Sequence, residues 1–471
     1  MKNPIHLSIT LNLADYLQNL AHITVTCQSQ HSPHQFQFEA LSIDKGLRVL
    51  DLQITNPANQ PISFTTAANL IHIPASDFHI TYTVQTEYAV CVGADMDVEL
   101  VYPFMNVDEI FLGSGIIAHP SPLRDLETDI QVTLNIENLP SNWNLISNFI
   151  GDSISPATLD GFFLYAAPQL ALSFHTYNGH HQSVTFRFAS QYAKSIPITT
   201  QELWQFIDTC LNWMEAHLAP YQQVPEINIL ILQAPADFQS IAQRPTFATG
   251  ENVLNGIITY GPDNPSYFQR LFGYTDYKTF LLDGIAHELM HTYTTTSWQG
   301  KYKAVLVPTA DCPPSHARLL GEALNLYFHR QILYRYMDGS TDRFFTETLT
   351  QTLNRQRQRP RKDSLLDLFL FDAHLRGNNS SLLVLLSAML KQKQQTPTPY
   401  ESAAWLFDIL RDQLGITASN TARDLLLADE IPDYLTLLPL ALAQFGFQLT
   451  ESDSQIQITP HGTATFQFDL T

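Results

Sequence analysis

No apolar run in the sequence approaches the roughly 20 residues that a bilayer-crossing helix needs, so no membrane partner is expected. Basic residues are also scarce, 25 Lys and Arg against 45 Asp and Glu, for a formal net charge of −20. Phosphate binding needs clustered cations, which excludes a general affinity for nucleic acid or an anionic membrane. The one basic run, Arg355 to Lys362, reads first as a solvated loop between helices. Cysteine is sparse, and Cys27, Cys91, Cys210 and Cys312 show no paired spacing. That spacing excludes a disulfide framework or a thiolate metal site and fits buried, reduced thiols. Residues His6 to Leu13 alternate like a strand and lack the continuous apolar core of a secretion signal. A cytoplasmic protein is the expectation.

What the chain does contain is a hydrophobic share of 45% beside a charged share of 15%, the balance of a folded protein with sizeable cores. Its 471 residues exceed one ordinary domain. Up to residue 195 the pattern has period two, as in Phe78–Val84, Ile130–Ile136 and Ser183–Phe188, with turn signals such as Asn56-Pro57-Ala58-Asn59 between the runs. Many short strands with regular turns predict a sandwich. From Thr200 the apolar residues Leu203, Phe206, Ile207, Cys210, Leu211, Met214 and Leu218 recur at helical spacing. Strands are then predicted at Ile227–Leu232 and Gly256–Tyr260, a mainly helical stretch from about Thr279 to Phe445, and a return to β alternation at Gln455–Thr459.

The segment His287-Glu288-Leu289-Met290-His291 carries the chemistry. Positions i and i+4 of a helix share a face, so both imidazoles reach one metal ion. Glu288 follows the first His directly, where its carboxylate reaches a water on the metal rather than the metal itself, as a general base must. A catalytic zinc takes three protein ligands and keeps a fourth position open. The third ligand has two candidates. Asp311 stands at a usable distance but in the helix-breaking context Asp311-Cys312-Pro313-Pro314. Glu322 is better placed, because Pro313 and Pro314 can open a helix whose apolar residues Leu319, Leu320, Leu324, Leu326 and Phe328 turn Glu322 toward the first. His329 falls on nearly the same face as Glu322 and reads first as a structural histidine, with a supporting role as the alternative. His180, His181, His316 and His374 have no partner at ligand spacing. Two imidazoles and a carboxylate favour one zinc ion per chain.

These segments resemble the glycyl aminopeptidase family of gluzincins, relatives of the thermolysin-like and alanyl aminopeptidases. The resemblance rests on His287–His291 and on Gly321-Glu322-Ala323-Leu324-Asn325-Leu326-Tyr327, similar to the family's Glu-Gly-x-x-x-Tyr helix with Ala323 in place of Gly. It covers most of residues 200–445 and the β region more loosely. It implies an α+β multidomain fold: an N-terminal β-sandwich over 1–195, a thermolysin-like catalytic domain over 196–340 and a mainly helical C-terminal domain with a short β tail over 341–471. It also implies removal of N-terminal residues from peptide substrates, with His287, His291 and Glu322 on zinc and Glu288 as general base. In Ala248-Thr249-Gly250-Glu251-Asn252 it makes Glu251 and Asn252 substrate-binding candidates, Glu251 holding the free amine, although the family's leading glycine is missing.

Two further departures bear on function. Where the family has a Tyr-Tyr-x-Lys-Gly segment, with an oxyanion-stabilising tyrosine, this chain has Ser380-Ser381-Leu382-Leu383-Val384. Loss of one such donor lowers a rate by about 10²–10³. The roughly 25 residues after Phe445 are too few for the PDZ domain that many relatives carry. The alternatives to an aminopeptidase are therefore an endopeptidase and a zinc-containing protein that binds peptides and hardly cleaves them.

Overall fold

The computed structural model describes residues 5–29, 34–37, 47–67, 70–86, 91–92, 98–99, 104–113, 116–120, 130–147, 162–218, 226–232, 251–253, 256–260, 276–298, 301–304, 314–395, 411–412, 415–427, 430–452 and 455–464. The chain divides into two compact units. One comprises residues 1–175, 186–197 and 226–277; the other comprises 176–185, 198–225 and 278–471. The helical end of the chain thus falls in the same unit as the His287–His291 motif.

The first unit opens with a five-stranded sheet built from β1 (Ile5–Asn12), β2 (Leu20–Gln28), β3 (Leu47–Thr55), β4 (Phe78–Thr86) and β5 (Ile130–Glu137), in the order β5-β1-β2-β4-β3. The alternation in the sequence decides its faces. Ile5, Leu7, Ile9 and Leu11 on β1 and Ala21, Ile23, Val25 and Cys27 on β2 all point into one core. The cysteine is a buried thiol, as its isolated spacing predicts. The β3–β4 register shifts between Leu50 and Gln53, where Asp51 takes a φ of 54°, the unpaired residue of a bulge. Phe163–Ala167 is the longest strand of a separate four-stranded sheet and is buried along its whole length.

A second five-stranded sheet follows, made of β6 (Ala171–Asn178), β7 (Ser183–Ser190), β8 (Glu226–Leu232), β9 (Glu251–Val253) and β10 (Gly256–Tyr260), in the order β6-β7-β8-β10-β9. Strands β8 and β10, both read from the sequence, pair in parallel, and β9 closes the edge antiparallel to β10. Ile227–Leu232, apolar except for Asn228, is fully buried, as a strand covered on both faces must be.

In the second unit the helices are α1 (Thr200–His217), α2 (Tyr277–Thr294), α3 (Pro314–Asp338), α4 (Thr350–Gln358), α5 (Ser364–Gly377), α6 (Leu382–Gln395), α7 (Ile416–Ala422) and α8 (Tyr434–Gln444). Helix α1 starts at a capping box in which Thr199 and Glu202 satisfy each other's backbone N–H groups. Its buried side packs on α3, with Phe206 of the predicted stripe against Tyr336 at 4.9 Å and Trp213, outside that stripe, against Phe328 at 5.8 Å. The helical stretch predicted from Thr279 is interrupted by the hairpin Thr295–Trp298 and Lys301–Ala304. The threonine-rich run from Thr292 to Thr296 explains the change, because β-branched residues lose side-chain freedom in a helix and fit a strand. Half of Arg355–Lys362 is not a loop: Arg355 to Gln358 form the last turn of α4, and Arg359 to Lys362 lead on toward α5. The predicted terminal β alternation is a hairpin, Phe447–Glu451 with Ile456–Pro460, whose Phe447 stacks on Phe345 at 4.1 Å. No helix among the described residues is long and apolar enough to cross a membrane.

Candidate metal centre

Helix α2 is apolar almost all round. Phe280, Leu281, Leu282, Ile285, Ala286, Leu289, Met290 and Tyr293 are each at most 2% exposed. Such a helix is a core element, so the few polar groups it carries are held inside the protein at a cost that packing alone does not repay. Its C-terminal end is tied to the β6–β7 turn. The Glu215 carboxylate of α1 accepts the backbone N–H groups of His180, His181 and Gln182, and the Gln182 amide donates to the Tyr293 hydroxyl at 2.9 Å. Gly179 belongs in that turn because a Cβ there would stand 2.1 Å from the Glu215 carboxylate. His180 and His181 are exposed on the turn.

His287 and His291 lie one turn apart on α2, and their Nε2 atoms approach to 3.0 Å. Helix α3 begins at Pro314, consistent with proline in the first turn. It brings Glu322 Oε2 to 3.0 Å from His287 Nε2 and 3.6 Å from His291 Nε2. Three donor atoms of the predicted types therefore converge on one point. Ligand atoms on one tetrahedral zinc, with bonds near 2.1 Å, stand about 3.4 Å apart; the three observed separations bracket that value, so these residues fit a single zinc ion. Asp311 lies outside the described residues. Glu288 is 3% exposed, and its carboxylate lies within 4.8 Å of the ligand atoms of both histidines.

The charges of the cluster show how tightly it is arranged. Burial by itself depresses the His287 imidazole, but the Glu322 carboxylate bonded to it, with Glu288 and Asp283 nearby, brings it up to about 9. Enclosure raises Glu322, yet the two imidazoles hold it well below the usual carboxylate range. Burial pushes Glu288 up, against the opposing pull of His291 and His287. Mutual perturbation of this kind is shared by functional sites and by structural ion-pair networks.

Asn325 and His329 are contributions that motif reading assigned no definite role. Both stand on the Glu322 face of α3 at i+3 and i+7. The Asn325 amide meets His291 Nδ1 at 2.5 Å. His329 is fully buried and stands edge-on to His287, with ring centroids 5.0 Å apart. The sequence signal for Asn325 was there: an asparagine is a poor helix former and needs a reason to sit amid Leu324, Leu326 and Tyr327. Glu251 and Asn252 lie on β9, opposite Ile258 and Ile257 of β10; the placement of their side chains falls outside the described residues. Ser380–Val384, the segment where an oxyanion tyrosine was expected, leads into α6, with Ser380 and Ser381 just before its first residue. There Ser381 accepts from the Val384 N–H at 3.2 Å, and Asp372 accepts from the Leu382 N–H at 2.6 Å.

No protein-family model and no curated protein matches the chain. Solved structures do. An aminopeptidase N family protein from Idiomarina loihiensis superposes with a TM-score of 0.64 at 11% identity, covering 95% of this chain and 80% of the other. An M1 zinc metallopeptidase from Deinococcus radiodurans gives a TM-score of 0.52 at 12% identity, covering 92% and 95%. A mutant of an M1 zinc metallopeptidase from that organism, bound to a Tyr-Ser-Ala substrate, gives 0.53 at 11% with the same coverage. The fold is that of the M1 zinc metallopeptidases. At these identities the likeness is one of fold, and it spans both units of the chain. The M1 fold accords with the resemblance drawn from His287–His291 and Glu322, and with an α+β architecture of strands first and helices last.

Proposed function

We propose that the chain is a zinc metallopeptidase, and within that class an aminopeptidase. The observation that carries the reading is the convergence of His287, His291 and Glu322 within 3.0 to 3.6 Å, beside a buried carboxylate that is not needed as a ligand. His287, His291 and Glu322 would hold the ion. When bound, zinc lowers the pKa of a coordinated water toward ~7 and polarises a substrate carbonyl. Glu288 then has the general base's task, taking a proton from the attacking water and returning it to the leaving amine. Glu251 would pair with the free amine of the substrate and limit cleavage to chain ends, with Asn252 beside it in the same subsite. Peptides are the proposed substrates and one zinc per chain the proposed cofactor.

A second reading is favoured by one feature, the serine pair just before α6 where the resembled family carries its oxyanion tyrosine. On that reading the protein holds zinc and binds peptides but turns them over slowly. The deciding experiment measures metal content by mass spectrometry on protein purified without added metal, beside His287→Ala, and then digests a broad peptide library. About one zinc per chain, lost in His287→Ala, with cleavage of free-amine peptides and none of N-acetylated ones, supports the aminopeptidase. Cleavage of both peptide sets points to an endopeptidase, and zinc without turnover to the binding protein. Wild-type protein that takes up no zinc sinks the metal centre.

A further inference from the structure

We propose that Asp283 and His329 act as a positioning pair for His287, fixing the orientation in which its imidazole meets the metal; the inference rests on the zinc reading above. His329 is the only histidine among the described residues besides His287 and His291 that stands at the cluster, and it is 0% exposed. Its ring meets that of His287 at an interplanar angle of 86°. Neither of its nitrogens faces His287. Nδ1 lies 2.6 Å from the backbone carbonyl of Asn325, and Nε2 lies 3.0 Å from Asp283 Oδ1. A neutral imidazole has one N–H to give, so the ring donates either to the Asn325 carbonyl or to Asp283. That bond and complete burial fix the ring, and it offers His287 a wall of set orientation.

Asp283 belongs to α2, one turn before His287, and Arg330 Nε approaches the same carboxylate oxygen to 2.6 Å. The carboxylate is thus held from two sides by neighbours on α3, and it ties the helix of the two imidazoles to the helix of Glu322. Stability does not account for this arrangement. Burying an aspartate with its partners costs about as much as it returns, and a hydrophobic replacement of similar volume is often neutral or better. Groups that back a metal ligand, most often through a hydrogen bond, set its orientation, and their loss weakens metal binding by about 10–100-fold; here the backing is the packed His329 ring. The geometry adds a division of labour on α3. Glu322 supplies a ligand, Asn325 contacts His291, and His329 backs His287, at i, i+3 and i+7 of one helix face.

The test is zinc affinity by chelator competition, together with the visible spectrum of the cobalt-substituted protein, on wild type, His329→Phe, Asp283→Asn and His287→Ala. His329→Phe keeps an aromatic ring but cannot bond Asp283 or the Asn325 carbonyl. Each variant is first checked for native secondary structure by circular dichroism in the metal-free form. The expected result is a zinc dissociation constant raised about 10–100-fold in both His329→Phe and Asp283→Asn, with a shifted cobalt band. Wild-type affinity and an unshifted band in both folded variants overturn the pair and leave the zinc centre standing. Where His329→Phe does not fold, His329→Gln, closer in polarity, is read in the same way. Wild type that binds zinc no better than His287→Ala overturns the zinc centre itself, and the pair with it.

Discussion

The side-chain amide of Asn325 stands against Nδ1 of His291, which leaves the other ring nitrogen facing His287 and Glu322. The oxygen and nitrogen of an amide exchange places by a half-turn. With the oxygen toward the ring, Nδ1–H donates to it and Nε2 presents its lone pair to a cation. Asn325→Ala should therefore leave the fold intact and raise the zinc dissociation constant about 10–100-fold, as read by chelator competition. Unchanged affinity would reduce the contact to packing.

Glu288 makes a sharper prediction, because it is assigned to proton transfer and not to the metal. Glu288→Gln keeps the shape of the side chain and removes the base. Zinc content by mass spectrometry should stay at the wild-type level while peptide hydrolysis falls about 10²–10⁴-fold. Loss of zinc in this variant would instead make Glu288 a ligand.

Metal removal should register in stability as well. A ligand that binds only the folded chain stabilises it by mass action, about 2.7 kcal/mol at a hundredfold excess over its dissociation constant. A chelator should thus lower the melting temperature of wild type and leave that of His287→Ala unmoved. Equal sensitivity of the two would show that the stabilising metal sits elsewhere.

Asp372 anchors the helical end of the second unit. Its carboxylate, 1% exposed, accepts from the Tyr327 hydroxyl at 2.7 Å, from Arg376 Nε at 2.8 Å and from the Leu382 N–H at 2.6 Å, joining α3, α5 and the start of α6. Asp372→Ala strands three donors, one of them charged. Urea denaturation should show a loss of about 3–5 kcal/mol; a loss below 1 kcal/mol would contradict the network.

Asp367 supplies a pH dependence. Burial pushes its carboxyl up from 3.8 to about 7, against the hydrogen bond from Tyr434 and the charge of Lys362. Between those limits the folded chain keeps a proton that the unfolded chain has released. The stabilisation from that proton is complete below about pH 4 and is lost as pH rises through about 7, with a slope of at most about 1.4 kcal/mol per unit. Comparing urea midpoints at pH 4.5 and 7.5, wild type should lose more stability over this interval than Asp367→Asn. Parallel profiles would place the titration on another group.

Much of the strand grammar and the helical motif was legible because the signals are local. The β1 and β2 alternations, the stripe of α1 and the i, i+4 histidines of α2 each depend on residues a few positions apart, and periodicity alone assigns their faces. The run from Thr292 to Thr296 misled a helical reading because its β-branched preference competes with an apolar neighbourhood, and hairpin pairing with Lys301–Ala304 settles such contests. The basic run misled in the opposite sense, since charge predicts exposure but not whether the exposed backbone is loop or helix.

By itself the sequence determined the ligand types, their helix and the chemistry they admit, since two imidazoles one turn apart with an adjacent carboxylate form a pattern written within five residues. Tertiary structure brought Glu322, the candidate the sequence already favoured, beside them, and it alone decided that Asn325 and His329 stand behind them and that Asp283 ties the two helices together. Those contacts join α2 to α3 across 31 to 46 positions of sequence. No local preference encodes such a separation; it is fixed only when the apolar surfaces of the two helices pack and the chain between them closes.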